Sequence, residues 1–339
     1  MLDETTKYFY ELTPERILEA VEAATGLRCT GRCLALNSME NRVYEVEIEV
    51  EDESAIKSRF DLFRVVKFYR PGRWSKEQIL EEHEFLADLS AADIPVAAPL
   101  PFPDGSTIRK VEGSEIWCAV FPKIGGRSPD ELKDEDLERI GRLLARLHTV
   151  GRTKPSRHRL KLTPELYGLQ NLRLLYDQGF LPLEMRDYYK RVVEEICTLV
   201  TPWFSGVEYQ RIHGDCHFGN ILWTGAGPCL LDFDDMVIGP CVQDLWLILP
   251  GRDEETRRQL QILLGAYEQM RSFDRETLRL IEPLRALRFV HYSAWIAKRW
   301  QDPAFQRTFP QFNTPGYWNE QLSDLREQLS VIHEGGIFS

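Results

Sequence analysis

The sequence predicts an α+β protein in two parts, a mainly antiparallel sheet with one helix inserted in it and then a mainly helical remainder. Short β-rich runs dominate the first part, and one of them, Val43–Val50, alternates apolar and acidic residues along most of its length, the period of a half-exposed strand. After the paired glycines Gly125 and Gly126, helical periodicity takes over. We therefore predict one domain over residues 1–122 and a second over 123–339.

The first part opens with a predicted helix. Thr13 and Pro14 form an N-cap followed by proline at the first helical position, and Gly26 ends the apolar helical spacing. A second strand is predicted at Phe63–Tyr69, after a polar turn over residues 51–59. A helix is predicted over Ser75–Leu89, where apolar residues recur at helical spacing until a proline-rich stretch ends it. A further hairpin leads into a strand over residues 116–121.

The second part is predicted to be helical, with one β hairpin. Apolar faces at helical spacing occur around residues 137–147, 183–199, 254–270, 276–300 and 317–333. Within this part, Ile221–Trp223 and Cys229–Asp232 flank a turn and form a hairpin with acidic residues at its mouth.

Charge and hydropathy exclude several classes of protein. The chain has 42 Lys plus Arg against 53 Asp plus Glu, a net charge of -11, and no basic block that could follow a phosphate backbone, so we expect no nucleic-acid partner. It has no apolar run of the roughly 18 to 20 residues that a membrane helix needs, and its first residues do not form a secretory signal. We expect a cytoplasmic protein without membrane contact. A monomer is expected, because the sequence contains no heptad seam.

The seven cysteines do not predict a metal site. Cys29 and Cys33 are the one tight pair, and no second pair or histidine follows at zinc-site spacing. Reduced, mostly buried thiols are therefore expected.

The most informative segment is the string His213-Gly-Asp215, with Asn220 five residues after the aspartate and Asp232 twelve residues further on. Mg²⁺ prefers one or two protein oxygens together with substrate phosphates. Asn220 and Asp232 can supply those oxygens, which leaves Asp215 as a general base. Polar loops also collect Asp and Asn for turns, but this string between two apolar strands favours a catalytic site.

This segment resembles the aminoglycoside phosphotransferase and choline kinase group, which has a bilobal protein-kinase-like fold. Other segments are similar to a bacterial branch of that group, Ser/Thr protein kinases of stress responses. The matching segments span residues 30 to about 320 and are Asn37–Tyr44, Val65–Pro71, Ile79–His83, Ala119–Arg127 and Ile281–Ala286.

The resemblance implies a role for three residues of this segment and for two residues much earlier in the chain. Asp215 would accept the proton of the acceptor hydroxyl, Asn220 would bind Mg²⁺, and Asp232 would be a catalytic residue and the ligand that joins the metal to the phosphates of ATP. Lys67 would neutralise the α and β phosphates, and Glu82 would pair with Lys67. Glu81 is an alternative partner, and an ordinary edge-strand lysine is the alternative interpretation of Lys67.

The same resemblance places the phosphate-covering loop at Asn37–Arg42, with Ser38 contacting ATP. Usual protein kinases have glycines in this loop, but this segment has none. Adenine is expected against the backbone of Phe121–Ile124. Asp244 would support the catalytic loop by accepting backbone N–H bonds, or it could simply cap a helix.

Three features of the sequence are open to more than one interpretation. Asp234 and Asp235 could bind a second metal or a basic acceptor, or could be solvated acids. Cys216 could make the activity sensitive to oxidants or be simply packed. The first interpretation of the aromatic and basic stretch His291–Trp300 is a buried helix face with its cations at the surface. The alternative is that it forms one wall of the acceptor site.

Three functions follow from these observations. The first is an ATP- and Mg²⁺-dependent Ser/Thr protein kinase of a bacterial stress response. The second is a kinase of small alcohols, of the aminoglycoside, choline or homoserine kinase type, because residues 232–239 pass almost directly to Asp244 without an Ala-Pro-Glu anchor. The third is an inactive nucleotide-binding scaffold, which the presence of Lys67, Asp215, Asn220 and Asp232 disfavours.

Overall fold

The computed structural model describes residues 9–50, 54, 56–128 and 131–336. Their contacts divide the chain into two compact units. The first unit contains the described residues up to Leu132, together with Ser156–His158 and Phe218–Asp234, and the second contains Lys133–Pro155, Arg159–His217 and the residues from Asp235 onward. The predicted boundary at residue 122 assigned the segment Phe218–Asp234 to the second part, whereas the contacts group it with the first.

The first unit is built on a five-stranded antiparallel sheet with the order β1-β2-β3-β5-β4. Its strands are β1 (Cys29–Leu36), β2 (Arg42–Ile48), β3 (Phe63–Tyr69), β4 (Arg109–Lys110) and β5 (Trp117–Pro122). In the central strand β3, Lys67 pairs with Val43 of β2 and Ala119 of β5. Val66, Phe68 and Val120 are fully buried in the core beside the sheet.

Two helices accompany the sheet, and their ends follow the capping signals of the sequence. Helix α1 (Pro14–Thr25) begins after Thr13, whose side chain accepts the N–H of Arg16, and ends at Gly26 with a left-handed φ of 72°. Helix α2 (Lys76–Ala91) begins with a reciprocal capping box between Ser75 and Gln78. These caps fix where α2 starts and therefore which of its residues reach the sheet.

The predicted hairpin completes the first unit. A short 3₁₀ turn, Phe218–Asn220, leads into β7 (Ile221–Thr224), which pairs with β8 (Gly227–Leu230). The N–H of Leu231 donates to the carbonyl of Asn220 over 2.9 Å, so the two ends of the hairpin lie side by side. The 3₁₀ turn Phe233–Asp235 follows.

The second unit is mainly helical. Its helices are α3 (Asp134–Gly151), α4 (Gln170–Asp177), α5 (Arg186–Val200), α6 (Val242–Trp246), α7 (Glu254–Glu268), α8 (Ile281–Ala297), α9 (Pro303–Thr308) and α10 (Pro315–His333). Its two short strands, β6 (Gln210–Ile212) and β9 (Val237–Gly239), pair with each other. A Cβ at Gly141 of α3 would collide with the backbone of Leu263 in α7, so these two helices pack at close range.

The α+β prediction is confirmed, with an antiparallel sheet in the first unit and helices in most of the second. Strand β1 was not predicted, because its sequence CTGRCLAL lacks regular alternation. The helix predicted over residues 276–300 is divided into a 3₁₀ turn, Arg275–Leu280, and α8. Of the polar turn predicted over residues 51–59, residues 51–53 and 55 lie outside the described part. None of the helices that the structure describes has both the length and the apolar character needed to cross a membrane.

Candidate active site

Lys67 is a buried cation surrounded by carboxylates. It lies on the central strand β3, so it is not an edge-strand lysine, and its residue is 7% exposed. Its Nζ is 2.9 Å from Asp234 Oδ1, 3.4 Å from Glu82 Oε1 and 3.5 Å from Asp232 Oδ1. Burial alone lowers the pKa of Lys67, but the charges of Asp234 and Glu82 raise it well above its usual value. Lys67 is therefore a fixed positive charge.

The two candidate glutamates of α2 have different partners. Glu82 is 1% exposed and faces Lys67. Glu81 instead accepts hydrogen bonds from the hydroxyl of Ser156 and from the backbone N–H groups of Arg157, at 2.6 Å, and His158, at 3.0 to 3.1 Å. Glu82 is thus the glutamate of α2 that pairs with Lys67, and Glu81 attaches the segment Ser156–His158 to the helix.

The segment Asn37–Arg42 is held by side chains in place of glycines. Asn41, which is 3% exposed, accepts the backbone N–H of Arg70 over 3.0 Å. The Nε of Arg70 donates to the carbonyl of Glu40 over 2.9 Å and lies 3.2 Å from its carboxylate. Arg73 contacts the carboxylates of both Glu40 and Asp234. These contacts link the loop to the chain directly after β3 and to the turn that carries Asp234.

A cavity of about 320 Å³ in the first unit brings the predicted binding residues together. Ser38, Lys67, Glu82, Asn220 and Asp232 all line it. Its remaining wall is largely apolar and includes the predicted adenine segment Phe121–Ile124. A largely apolar pocket with a few convergent polar groups is typical of a small-molecule site.

Asn220 and Asp232 fit the requirements of a hard divalent cation. Both have a side-chain oxygen and both line the same cavity, and the side chain of Asp232 is 58% exposed. Asp232 has a φ of 56°, a conformation that Asp tolerates better than most residues. Among the described residues, no group of three or more His, Cys, Asp or Glu could hold a metal. A cation at these two residues would therefore need further oxygens from a bound molecule, as nucleotide phosphates supply to Mg²⁺.

The second unit holds Asp215 on a rigid loop. Asp244 accepts the backbone N–H groups of His213, at 2.9 Å, and Gly214, at 2.8 Å. Its Oδ2 also lies 3.0 Å from Nε2 of the fully buried His148. Asp244 lies inside α6 and not at its N-cap, so the expected support of the loop by backbone N–H bonds is confirmed.

The carboxylate of Asp215 faces two basic side chains. Arg288 Nη1 of α8 lies 2.9 Å from Oδ1, and His217 Nε2 lies 3.5 Å from Oδ2. The side chain of Asp215 is 23% exposed. It is therefore held in place and still open to solvent, as an acceptor of a substrate proton must be.

Two features that the sequence left open now have definite surroundings. Asp234 is 3% exposed and contacts Lys67 and Arg73, so it is not a solvated acid. Cys216 is fully buried, and burial raises the pKa of its thiol well above the usual value. A buried thiol with a raised pKa is poorly reactive, which favours packing over oxidant sensing.

Comparison with known proteins decides the family. The sequence model of the phosphotransferase enzyme family (APH) matches residues 34–281. The chain belongs to this phosphotransferase family. It is 40% identical to stress response kinase A of Escherichia coli strain K12 over 327 residues, covering 96% of this chain and 95% of the relative. It is 39% identical, with the same coverage, to serine/threonine protein kinase RdoA of Salmonella typhimurium strain LT2. The kinase names of these relatives agree with phosphoryl transfer.

Solved structures of other phosphotransferases share the fold. Amicoumacin kinase hAmiN, in complex with AMP-PNP, Ca²⁺ and Ami, has a TM-score of 0.74 at 18% identity, and the superposition covers 97% of this chain and 96% of the kinase. Choline kinase from Cryptosporidium parvum has a TM-score of 0.61 at 12% identity, and the superposition covers 96% of this chain and 98% of that kinase. The protein-kinase-like fold that the resemblance implied is thereby confirmed.

Three residues of this phosphotransferase were missed by sequence reasoning. They are Arg73, His148 and Arg288, which contact Asp234, Asp244 and Asp215 respectively. Each lies far from its partner along the chain. The one available signal was the charge of Arg73 and Arg288 beside otherwise apolar or aromatic residues.

Proposed function

We propose that this chain is an ATP- and Mg²⁺-dependent protein kinase that transfers the γ-phosphate to Ser or Thr hydroxyls. The observation that carries the proposal is that Ser38, Lys67, Glu82, Asn220 and Asp232 line one and the same cavity. This cavity combines a fixed cation, a pair of oxygen ligands and an apolar wall, which are the groups needed to bind a nucleoside triphosphate with its metal. The Ca²⁺ and AMP-PNP named with hAmiN support this choice of ligands.

Each of these residues has a defined task in the proposal. Lys67, held by Glu82, neutralises the α and β phosphates, and Ser38 contacts the phosphates from the loop. Asn220 and Asp232 hold Mg²⁺, which when bound neutralises charge on the phosphates. The backbone of Phe121–Ile124 binds the adenine edge.

Asp215 is the proposed general base. The acceptor oxygen forms a bond to the γ-phosphorus, the bond from that phosphorus to the β–γ bridging oxygen breaks, and the hydroxyl proton passes to the Asp215 carboxylate. ADP leaves with the bridging oxygen. Little covalent chemistry is required of the protein, so positioning and charge neutralisation supply most of the rate.

The Ser/Thr acceptor rests on the relatives. The name of the Salmonella typhimurium relative is serine/threonine protein kinase, and it matches nearly the whole chain. The solved neighbours, such as the choline kinase, are named for small molecules, but they are at most 18% identical in the cases given above and share only the fold. A role in a stress response is proposed on the same relatives.

The test uses purified chain, Mg²⁺ and ATP labelled in the γ-phosphate, with a generic protein substrate and a panel of amino alcohols. We expect label on Ser or Thr. Asp215→Asn should lower the transfer rate by about 10²- to 10⁴-fold, the usual contribution of a general base, while ATP still raises the melting temperature. Asp187→Asn, at a side chain 74% exposed, is the matched control.

The outcomes separate the three functions. Label confined to an amino alcohol identifies a small-molecule kinase. ATP binding without transfer to any acceptor identifies a nucleotide-binding scaffold. Equal transfer by wild type and Asp215→Asn contradicts the assignment of the base.

A further inference from the structure

Helix α8 carries a partly exposed aromatic surface one turn away from the contact to Asp215. The ring of Tyr292, a residue 43% exposed, stacks on the half-buried Trp295 with centroids 5.6 Å apart and an interplanar angle of 19°. Phe309, also half-buried and directly after α9, meets both rings edge-on, at 6.2 Å from Tyr292 and 5.9 Å from Trp295. We call Tyr292, Trp295 and Phe309 the aromatic shelf. A cluster of aromatic rings that reaches the surface is typical of a recognition site.

Arg288 connects the shelf to the proposed catalytic base. It precedes Tyr292 by four residues, so the two side chains share one face of α8. Its Nη1 lies 2.9 Å from Asp215 Oδ1. Burial raises the pKa of Tyr292, and the positive charge of Arg288 opposes part of that rise, as expected for close neighbours. A molecule on the shelf would therefore extend toward Arg288 and Asp215.

The stretch of chain that carries the shelf is rich in cations for an acidic protein. Residues 286–319 contain four cations, Arg288, Lys298, Arg299 and Arg307, and one acid, Asp302, whereas the whole chain has a net charge of -11. Asp302 is 3% exposed and caps α9 by accepting the N–H of Ala304. The guanidinium of Arg299 lies 5.4 Å from the centre of the Trp295 ring. An acidic ligand complements this surface, and a polyamine is repelled by it.

The length of the surface favours a peptide. From Arg288 to Trp295 the helix rises about 10 Å at 1.5 Å per residue, which is the length of about three residues of extended chain. A compact amino alcohol would cover only part of it. A peptide could place a hydroxyl near Asp215 and still set its neighbouring side chains on the rings and near the cations.

We propose that the aromatic shelf, with Arg299 and Arg307, binds the acceptor and selects a peptide whose Ser or Thr is flanked by an aromatic or large aliphatic residue and by acidic residues. The inference rests on the proposed function and names its acceptor class. Tyr292 and Trp295 supply the apolar contact, because aromatic side chains dominate such interfaces. The cations select the charge of the peptide.

The test compares three Ser peptides of equal length: one acidic with a flanking Phe, one with the acids replaced by Lys, and one acidic with Phe replaced by Ala. We expect kcat/KM of the wild type to be at least tenfold higher for the first than for either of the others. Tyr292→Ala should raise KM for the first peptide about tenfold and abolish the preference for Phe. Tyr188→Ala, at a tyrosine 39% exposed on α5, is the matched control and should retain the preference.

A charge reversal provides a second, independent variant. Arg307 is exposed on α9, so Arg307→Glu should fold even if Tyr292→Ala does not. It should lower the preference for the acidic over the basic peptide by about threefold or more. Arg173→Glu, at a side chain 63% exposed on α4, should leave that preference as in the wild type.

The outcomes distinguish this inference from the function it rests on. If all three peptides are phosphorylated equally well, or if Tyr188→Ala acts like Tyr292→Ala, the inference is overturned while the protein kinase activity stands. If no peptide is phosphorylated but an amino alcohol is, the acceptor class of the proposed function fails and the inference fails with it.

Discussion

The Nζ of Lys67 lies 2.9 Å from Asp234 and 3.4 Å from Glu82, so the nearest carboxylate to the central lysine comes from the turn after the β7–β8 hairpin. Asp234 also contacts Arg73, whose side chain is 8% exposed. Asp234 thus contacts two buried cations, which Glu82 and Glu40 contact as well. The paired lysine and glutamate of the resemblance are present, but they are part of a larger charge network.

Asp234→Asn should destabilise the first unit strongly. The change leaves Lys67 and Arg73 buried with less compensating charge, and breaking a buried ion pair costs about 3 to 5 kcal/mol. We expect a clear drop in melting temperature, measured by calorimetry. Glu115→Gln, which removes the carboxylate of an exposed pair with Lys110, should leave the melting temperature unchanged. A similar drop in both variants would contradict the network.

Glu82→Gln and Glu81→Gln should separate catalysis from anchoring. Glu82 is one of the buried partners of Lys67, so its neutralisation should lower kcat at least tenfold, about 1.4 kcal/mol in the barrier. Glu81 bonds to Ser156, Arg157 and His158, away from the cavity lining, and kcat of its variant should stay within twofold of the wild type. The measurement is steady-state kinetics at saturating ATP. Equal losses in the two variants would show that the helix as a whole, and not the Lys67 contact, had been disturbed.

Gly214→Ala should disturb the loop that carries Asp215. Gly214 has a φ of 85°, and a Cβ there would collide with the carbonyl oxygen of Asp235. Strain of this kind costs about 1 to 3 kcal/mol, and we expect both a lower melting temperature and a lower kcat. Gly225→Ala is the control, because a Cβ at that turn position has no heavy atom within 4 Å. A wild-type kcat for Gly214→Ala would show that the loop tolerates displacement.

His148 should make the stability of the second unit depend on pH. Burial alone lowers the pKa of His148, but Cys241, Tyr267 and Asp244 raise it, and the net pKa is well above the usual value. A raised pKa in the folded state stabilises the protein fully below the unfolded pKa of about 6.5 and loses that contribution as the pH rises through the folded value. The melting temperature of the wild type should therefore fall more steeply than that of His148→Gln as the pH increases above about 6.5.

Calorimetry between pH 6 and pH 9 measures this difference. His333→Gln, at an exposed histidine, should give a profile parallel to that of the wild type. Parallel profiles for the wild type and His148→Gln would show that folding does not raise the pKa of His148.

The sequence predicted those parts of the fold and site that local patterns encode. The caps at Thr13 and Ser75 determine where α1 and α2 begin, and the string from His213 to Asp232 contains the proposed base and both proposed metal ligands within twenty residues. Strand β1 has no such pattern, because its side chains are mostly exposed and its polar and apolar residues do not alternate regularly. Its place in the sheet depends on pairing with β2.

The missed residues are those whose partners lie far away in the chain. Arg73 and Asp234 are separated by 161 residues, and His148 and Asp244 by 96. His148 follows Leu144 by four residues on the apolar face of α3, which indicates burial but names no partner. Arg73 lies outside any helix or strand and has no such periodicity. Only the folded chain brings the buried charges together, so a single sequence could not predict these pairs.

The loop Asn37–Arg42 shows how this chain differs from usual protein kinases, which have glycines in the phosphate-covering loop. Its shape depends on Asn41 and Glu40, which bind Arg70, three residues after Lys67. A glycine-spacing signature would therefore overlook this proposed nucleotide loop in a newly sequenced genome. A more useful signature combines an acidic residue and asparagine directly before one strand with a Lys-x-x-Arg pattern at the end of the next, and it would recover chains that have replaced backbone freedom with side-chain bonds.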